Sequence, residues 1–165
     1  MRLSAFTTIF AALLSALPMA RPAAVERRQV IVWPAHGTTI SPANGSTIAA
    51  GDNFQFSYKD SNFCESDVVT IAVYLSQASP TNSDVMANGR LADGTFEYYF
   101  GDYTISNFGL PPSSNAPPTS LTMPVLEGTA ANTTLYFSVL EDFTDCPPNG
   151  QSTWFGIEAI TVLYI

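Results

Sequence analysis

The feature that most constrains this chain is the segment 64–75, because it joins one of only two cysteines to the strongest strand signal in the sequence. Apolar residues recur there at every second position, which places them on one face of a β-strand. They are Val69, Ile71, Val73 and Leu75, with Thr70, Ala72 and Tyr74 between them. Since both faces are largely apolar, the segment is predicted to be a central strand of a packed sheet.

The two cysteines, Cys64 and Cys146, are far apart in the sequence. We predict that they form one intramolecular disulfide, the simplest outcome for two cysteines in an exported chain. Closing so long a loop restricts the unfolded chain and contributes about 4 kcal/mol to stability in the chain-entropy model. The alternatives are two free thiols or an intermolecular bond.

The amino-terminal region is organised like an export signal. Residues 1–20 have a positive charge at Arg2, an apolar run at 5–17 and small residues near their end. This pattern is typical of a signal peptide, and a membrane anchor would need roughly 20 unbroken apolar residues. Residues 21–28 end in the dibasic pair Arg27 and Arg28 and are predicted to be a short propeptide. Residues 29–165 are then expected to form one domain of a secreted protein.

The carboxyl-terminal run at 157–165 is mostly apolar, but Glu158 interrupts it. A glycolipid-anchor signal needs a spacer followed by about 10 to 20 apolar residues. We therefore favour a last core strand over an anchor, and expect no membrane insertion of the mature protein.

The predicted mature chain is strongly acidic. Six basic and fourteen acidic residues are present in the whole sequence. Four of the basic residues and one acidic residue lie within 1–28, which leaves two basic and thirteen acidic residues and a net charge of −11. Phosphate binding needs clustered Lys and Arg, so the composition argues against nucleic acid or an anionic membrane as partner.

The rest of the sequence consists of short alternating runs separated by Gly, Pro, Asn and Ser, a pattern typical of β-sandwiches. Phe54, Phe56 and Tyr58 alternate with polar residues and are predicted to point inward. Other strands are predicted at 30–33, 94–100, 121–125, 134–140 and 154–165, and 37–46 is predicted to be turns. We expect an all-β fold, an immunoglobulin-like antiparallel β-sandwich of about seven strands with one disulfide.

Few groups suited to catalysis are present. His36 is the single histidine and is predicted to be a solvated loop residue. One histidine gives too few ligands for a zinc site, and the sequence lacks the Gly-x-Ser-x-Gly turn that would activate a serine. We therefore expect no cofactor and no enzymatic activity.

Carboxylates are the only reactive groups in quantity. If Cys64 bonds Cys146, several of them gather at one end of the domain. They are Asp60, Glu65, Asp67, Glu141, Asp142 and Asp145. Three interpretations stay open: a weak calcium site, the acid and base of a small glycoside hydrolase, and a solvated acidic rim, which we favour.

Aromatic residues at 96–103 are the best candidates for a binding surface. Tyr99 and Tyr103, with Trp33 or Trp154, are predicted as a platform on which sugar rings stack, although a sandwich of this size buries most of its rings. Two acceptor sequons also predict N-glycosylation on the surface. Their asparagines are Asn44 and Asn132.

Several short motifs resemble those of a group of small secreted fungal β-sandwich proteins. They are GTTISP at 37–42, AGDNFQFSY at 50–58, FGDY at 100–103, LTMP at 121–124 and CPP at 146–148. More remotely, the first half is similar to the immunoglobulin-like N-terminal domain of fungal cell-wall β-glucan assembly proteins, which typically carry Trp where Tyr58 stands.

The resemblance implies the fold and a location outside the cell or at the cell wall, and it transfers no catalytic residue. We therefore expect a non-enzymatic binding protein whose partner is a polysaccharide or an extracellular protein. An effector-like protein that binds a host or self protein is the first alternative, and a small carboxylate-dependent glycoside hydrolase is the second.

Overall fold

The computed structural model describes residues 31–33, 35–143, 146 and 154–165. The predicted signal peptide at 1–20 and propeptide at 21–28 lie outside these residues, as do Asp145 and the start of the predicted domain at Gln29. These assignments stay predictions.

The described chain is all-β, as the alternation of apolar residues predicts. It has ten strands: β1 Ile31–Trp33, β2 Thr38–Ser41, β3 Ser46–Ile48, β4 Asn53–Gln55, β5 Ser57–Lys59, β6 Val68–Ser76, β7 Tyr98–Ser106, β8 Ser120–Thr122, β9 Thr133–Phe143 and β10 Trp154–Tyr164. A single 3-10 turn, Asn82–Asp84, is the only helical element among the described residues. No helix in this part of the chain has the length and apolar character needed to cross a membrane.

The four longest strands, β10, β9, β6 and β7, lie side by side in a six-stranded sheet with the order β1-β10-β9-β6-β7. The short strand β3 pairs with the same edge of β10 as β1 does, further along the strand. Both pairings are parallel, so the prediction of an antiparallel sandwich is wrong at this edge. Strand β6 has β9 on one side and β7 on the other, both antiparallel. This confirms the prediction that segment 64–75 supplies a central strand.

The inner face of this sheet packs against two small sheets, β2-β5 and β4-β8. The predicted alternation is confirmed, since Phe56 is buried while Asn53, Gln55 and Ser57 are exposed. Fully buried side chains of the main sheet meet this layer: Ile71, Val73, Leu75, Leu135, Phe137, Val139 and Val162. Each such side chain contributes about 1.5–3 kcal/mol through the apolar surface that it removes from water.

The outer face is covered by the long connection between β6 and β7. Val85 and Leu91 form an isolated bridge in this connection and are 6% and 2% exposed. They pack with a second apolar cluster on the sheet that includes Tyr74 and Phe155. A segment that the sequence presents as a polar loop therefore shields the outer side of the sheet.

Several predicted boundaries were wrong, and the strand predicted at 121–125 spans Ser120–Thr122. The stretch predicted as turns contains β2 and begins β3, because Thr39 donates from its backbone nitrogen and its hydroxyl to Glu158 Oε2, both at 2.5 Å, and so holds β2 beside β10. The strand predicted at 94–100 runs later, from Tyr98 to Ser106. The pairing of β7 with β6 shifts by one residue beside Gly101, whose φ is +140°. Beyond this bulge β7 stays paired with β6 as far as Ser106, which lies opposite Val68.

The predicted disulfide is present between Cys64 and Cys146, with Cα atoms 4.7 Å apart. Cys64 lies just before β6 and Cys146 just after β9, so the bond joins two loops at one end of the main sheet. Both cysteines are buried with Phe143. The bond thus ties the second half of the chain to the central strand.

Loss of this bond in the double variant Cys64→Ser, Cys146→Ser is expected to lower the free energy of unfolding by about 4 kcal/mol. The reason is that the bond closes a loop with a sequence separation of 82 residues. Urea unfolding of the variant and of the oxidised wild type measures the difference. Equal midpoints would contradict the assigned role.

Candidate functional site

Two neighbouring carboxylates on β9 point in opposite directions, because side chains alternate along a strand. Glu141 faces the inner layer and is fully buried. Its Oε2 accepts hydrogen bonds from Gly37 N at 2.8 Å and Tyr58 Oη at 3.0 Å. Its Oε1 accepts from Ser61 N and Ser61 Oγ, both at 2.9 Å. Four donors stabilise the buried charge, so Glu141 is a structural anchor with both oxygens engaged.

The chain approaches Glu141 closely because two glycines leave room for it. A Cβ on Gly37 would lie 2.5 Å from the Tyr58 hydroxyl oxygen. A Cβ on Gly156, which pairs with Glu141, would lie 2.5 Å from the carbonyl oxygen of Ala35. Burial, followed by the charge of Glu141, raises the pKa of Tyr58 well above its ordinary value. The phenol therefore stays protonated and remains a donor.

Replacing Glu141 by Gln is expected to lower the free energy of unfolding by about 2–4 kcal/mol. The amide would keep one acceptor oxygen but would turn its NH2 group toward donors, and hydrogen bonds to a charged group are worth about 1.5–3 kcal/mol each. Chemical denaturation measures the change, with the exposed Glu127→Gln as the matched control. Tyr58→Phe removes a single donor and is expected to cost about 1 kcal/mol. A Glu141→Gln protein as stable as the control would contradict the anchor.

The other carboxylate, Asp142, lines a pocket of about 90 Å³ on the outer face. The pocket exists because β6 carries two small side chains there, Thr70 and Ala72. Asp142 on β9 pairs with Thr70, and Asp102 on β7 pairs with Ala72. A shallow floor is therefore flanked by one carboxylate on each side. The remaining lining residues are Asn88, Gly89, Arg90 and Leu140.

One wall of the pocket is a tight turn that holds Arg90 in place. Met86 N donates to Arg90 O at 2.8 Å, and Gly89 N donates to Met86 O at 3.0 Å. Gly89 has φ of +74°, and a Cβ there would lie 2.5 Å from a ring carbon of Phe155. Glycine is thus required both by the backbone conformation and by the close contact with the sheet.

The Arg90 guanidinium is fixed by two partners. Its Nη1 donates to Tyr99 Oη at 2.9 Å, and its Nη2 forms a salt bridge with Asp102. The guanidinium also lies 5.2 Å from the centroid of the Tyr99 ring. Burial, followed by the hydrogen bond and charge of Asp102, raises the pKa of Tyr99 above its ordinary value. Arg90 and Asp102 thus form an ion pair without net charge at the rim of the pocket.

Asp142 has no comparable partner. Its Oδ1 is buried and accepts no hydrogen bond among the described residues. Burial raises the pKa of Asp142 to about 6. At neutral pH the pocket therefore holds an ionised carboxylate for which the described residues provide no cationic partner.

Asp142→Asn is expected to stabilise the fold at pH 7 by about 1 kcal/mol. The pKa rises from 3.8 to about 6 on folding, so the folded state favours the neutral acid. That preference stabilises the fold fully below pH 3.8 and is lost as the pH rises through 6. The full shift corresponds to about 3 kcal/mol, and hydration of the exposed part of the side chain reduces it. Unfolding free energies of the variant and the wild type, measured from pH 3.5 to 8, check this. A difference between the two proteins that does not shrink toward low pH would contradict the prediction.

The predicted aromatic platform is divided between the two faces of the sheet. Tyr99 lies on the outer face, where Tyr74 and Arg90 contact its ring. Tyr103 packs against the inner core, and its hydroxyl donates to Phe100 O at 3.1 Å. The irregular register between them shifts the alternation by one residue. Trp154 packs beside the disulfide, and the side chain of Trp33 lies outside the described part of the structure.

The predicted acidic end is likewise dispersed. Asp60 accepts a hydrogen bond from Asn107 Nδ2 at 3.0 Å. Glu65 and Asp67 are exposed on the loop before β6, while Glu141 and Asp142 face opposite sides. No group of three or more His, Cys, Asp or Glu residues suited to a metal ion occurs among the described residues. His36 is exposed, with Nδ1 2.8 Å from Gly37 O.

Both sequon asparagines are exposed in turns. Asn44 uses its Oδ1 to accept from the backbone nitrogen and hydroxyl of Thr161, both at 2.8 Å. A glycan would attach to Nδ2, which leaves this acceptor in place. Asn132 has φ of +64°, a conformation that asparagine tolerates well. N-glycosylation at both positions stays a prediction that this placement allows.

Sequence reasoning missed the residues that form the pocket with Asp142, namely Asn88, Arg90 and Asp102. A signal for one of them was available, because Arg90 is one of only two basic residues outside 1–28. A basic residue that is so rare in an acidic chain indicates a specific carboxylate partner for Arg90. No feature of the sequence places Asp102 beside it, since the pairing depends on the turn at 86–90.

Comparison with known proteins adds no assignment. No protein-family model matches the chain, and no curated protein matches it significantly.

Proposed function

We propose that this protein is a secreted, non-enzymatic binding protein that recognises a polysaccharide through the outer-face pocket. The observation that carries the proposal is the Arg90–Asp102 pair facing Asp142 across a floor of small side chains. Planar polar groups held in fixed positions suit the hydroxyl pairs of a sugar, because each offers directional donors or acceptors. The pocket is small enough to take one edge of a sugar ring.

Binding without catalysis is supported by the positions of the carboxylates. A glycoside hydrolase needs two carboxyl groups on either side of one bond. Glu141 is enclosed by four donors on the inner face, and Asp142 lies on the outer face. Glu141 and Asp142 therefore do not form the acid and base of one active site. This argues against the alternative that the protein is a glycoside hydrolase using these two carboxylates.

The proposal also includes secretion of the protein and an immunoglobulin-like fold for its domain. The Cys64–Cys146 bond supports an oxidising compartment, and the predicted signal peptide supplies the route. Location at a cell wall follows from the resemblance to fungal proteins. We assign the domain to the immunoglobulin-like sandwiches as a variant, which the antiparallel pairing of β6, β7, β9 and β10 and the two-layer inner core support.

An extracellular protein is the alternative partner, and a second surface favours it. A groove of about 340 Å³ lies between β5 and β7, and the proline-rich connection at 111–118 forms one wall of it. Tyr58, Ile105, Pro112 and Pro117 line it with Leu110, which is 44% exposed. Exposed apolar surface of this kind is typical of protein contacts.

Retention of the mature protein on chitin, β-glucan and cellulose tests the proposal. The wild type is expected to be retained on at least one of them, with Arg90→Ala and Asp102→Asn weakening retention about tenfold or more, as for loss of a charge-assisted hydrogen bond. Leu110→Ser, in the groove, is the control and is expected to bind as the wild type does. Retention of the wild type by none of the three polymers would contradict the proposal. Loss of retention only in Leu110→Ser would also contradict it, and would indicate that the groove is the binding surface.

A further inference from the structure

The charge of the outer-face pocket is not balanced. Arg90 and Asp102 neutralise one another in a salt bridge. Asp142 remains, with one oxygen buried and without a hydrogen bond among the described residues. Two further titratable groups among the described residues lie near this pocket. Tyr99 already accepts a hydrogen bond from Arg90, and the Tyr74 hydroxyl accepts from Leu91 N at 3.4 Å. The pocket therefore carries a net charge of about −1 when Asp142 is ionised.

An unpaired carboxylate beside a cavity makes the site selective for charge. Withdrawing an ion from water is costly unless a partner replaces the lost solvation. The cost is visible in Asp142, because burial raises its pKa to about 6. A neutral hydroxylated ligand would supply hydrogen bonds but would leave the charge uncompensated. A ligand with a cationic donor would supply hydrogen bonds and would also compensate the negative charge of Asp142.

The lining around Asp142 adds a second requirement. Asn88 contributes an amide, Thr70 a hydroxyl, and the Arg90–Asp102 pair both a donor and an acceptor. These groups match neutral hydroxyls placed next to the cation. A simple metal ion would leave them unused, and only Asp142 and Asp102 would supply carboxylate oxygens. The pocket thus fits an ammonium group that has hydroxyl groups on adjacent carbons.

We propose that the outer-face pocket binds an amine-bearing sugar, with the ammonium group against Asp142 and a neighbouring hydroxyl on the Arg90–Asp102 pair. This inference rests on the proposed function and narrows its ligand from polysaccharides in general to those with free amino groups, such as a deacetylated amino-sugar polymer. The volume of about 90 Å³ accommodates the substituted edge of one residue, while the rest of the polymer lies outside the pocket. A lysine side chain offers the ammonium but lacks the adjacent hydroxyls.

Isothermal titration calorimetry at pH 6, near the pKa of Asp142, tests this with ligands that differ in one feature at a time. The probes are glucosamine oligomers, N-acetylglucosamine oligomers and glucose oligomers of equal length. A short lysine-containing peptide serves as the fourth. The glucosamine oligomer is expected to bind about 10 to 100 times more tightly than its acetylated counterpart, the range of one charge-assisted hydrogen bond.

Asp142→Asn distinguishes a specific contact from general attraction to an acidic protein. The variant is expected to lose the preference for the amine, so that it binds glucosamine and N-acetylglucosamine oligomers with similar affinity. Asp93→Asn, in an exposed turn away from the pocket lining, makes the same change in net charge and is expected to keep the preference. If both variants lose it equally, the attraction is nonspecific and the inference is overturned.

The remaining outcomes separate this inference from the proposed function. Equal binding of glucosamine, N-acetylglucosamine and glucose oligomers would overturn the amine preference and keep a polysaccharide-binding role. Tight binding of the lysine peptide alone would overturn both, and would indicate a protein partner at this pocket. Binding of none of the four probes would contradict the proposed function itself.

Discussion

The buried carboxylate of Glu141 is the interaction on which the two-layer arrangement depends. A charge withdrawn from water is tolerated only when hydrogen bonds replace its solvation, and here four of them do so. The donors come from Gly37 ahead of β2, Tyr58 in β5 and Ser61 beyond it. One side chain of the main sheet therefore holds both strands of the antiparallel β2-β5 pair at the same end. Glu158 on β10 extends the attachment by binding Thr39 twice. Apolar packing provides most of the stabilising free energy, but it is non-directional. These hydrogen bonds define where the small sheet sits.

The same strand shows how alternation separates a residue that anchors the second layer from one that lines a pocket. Glu141 and Asp142 are adjacent in sequence and similar in chemistry, yet one has all its donors and the other has none among the described residues. The inner face is closed by a second layer that supplies donors. The outer face is closed by a loop that carries Arg90, and this side chain is already engaged by Asp102. The different surroundings of the two carboxylates therefore arise from what covers each face.

Much of the core could be predicted from sequence, because period-two alternation directly reports which face of a strand is buried. That reasoning succeeded for β6, for Phe54 to Tyr58 and for the disulfide, where only one intramolecular pairing existed. It failed where long-range contacts outweigh local pattern. Strand β2 depends on Glu158, more than a hundred residues away, and no local signal marks it. Tyr99 and Tyr103 have the same parity in sequence, but the irregular register beside Gly101 places them on opposite faces. A one-residue shift of this kind reverses every orientation that follows it.

The pocket was unpredictable for a related reason, and that reason bears on how it binds. It requires small side chains at Thr70 and Ala72 on β6, and a turn that brings Arg90 over them. The turn is held by Val85 and Leu91, which are buried parts of the outer apolar cluster. Opening the pocket would therefore expose apolar surface and cost stability. A site supported by the core keeps its polar groups in place before a ligand arrives, so little ordering entropy is lost on binding. The segment that covers the outer face is thus the same one that holds Arg90 beside the pocket, so a change that loosens this segment would alter both the stability of the fold and the geometry of the pocket.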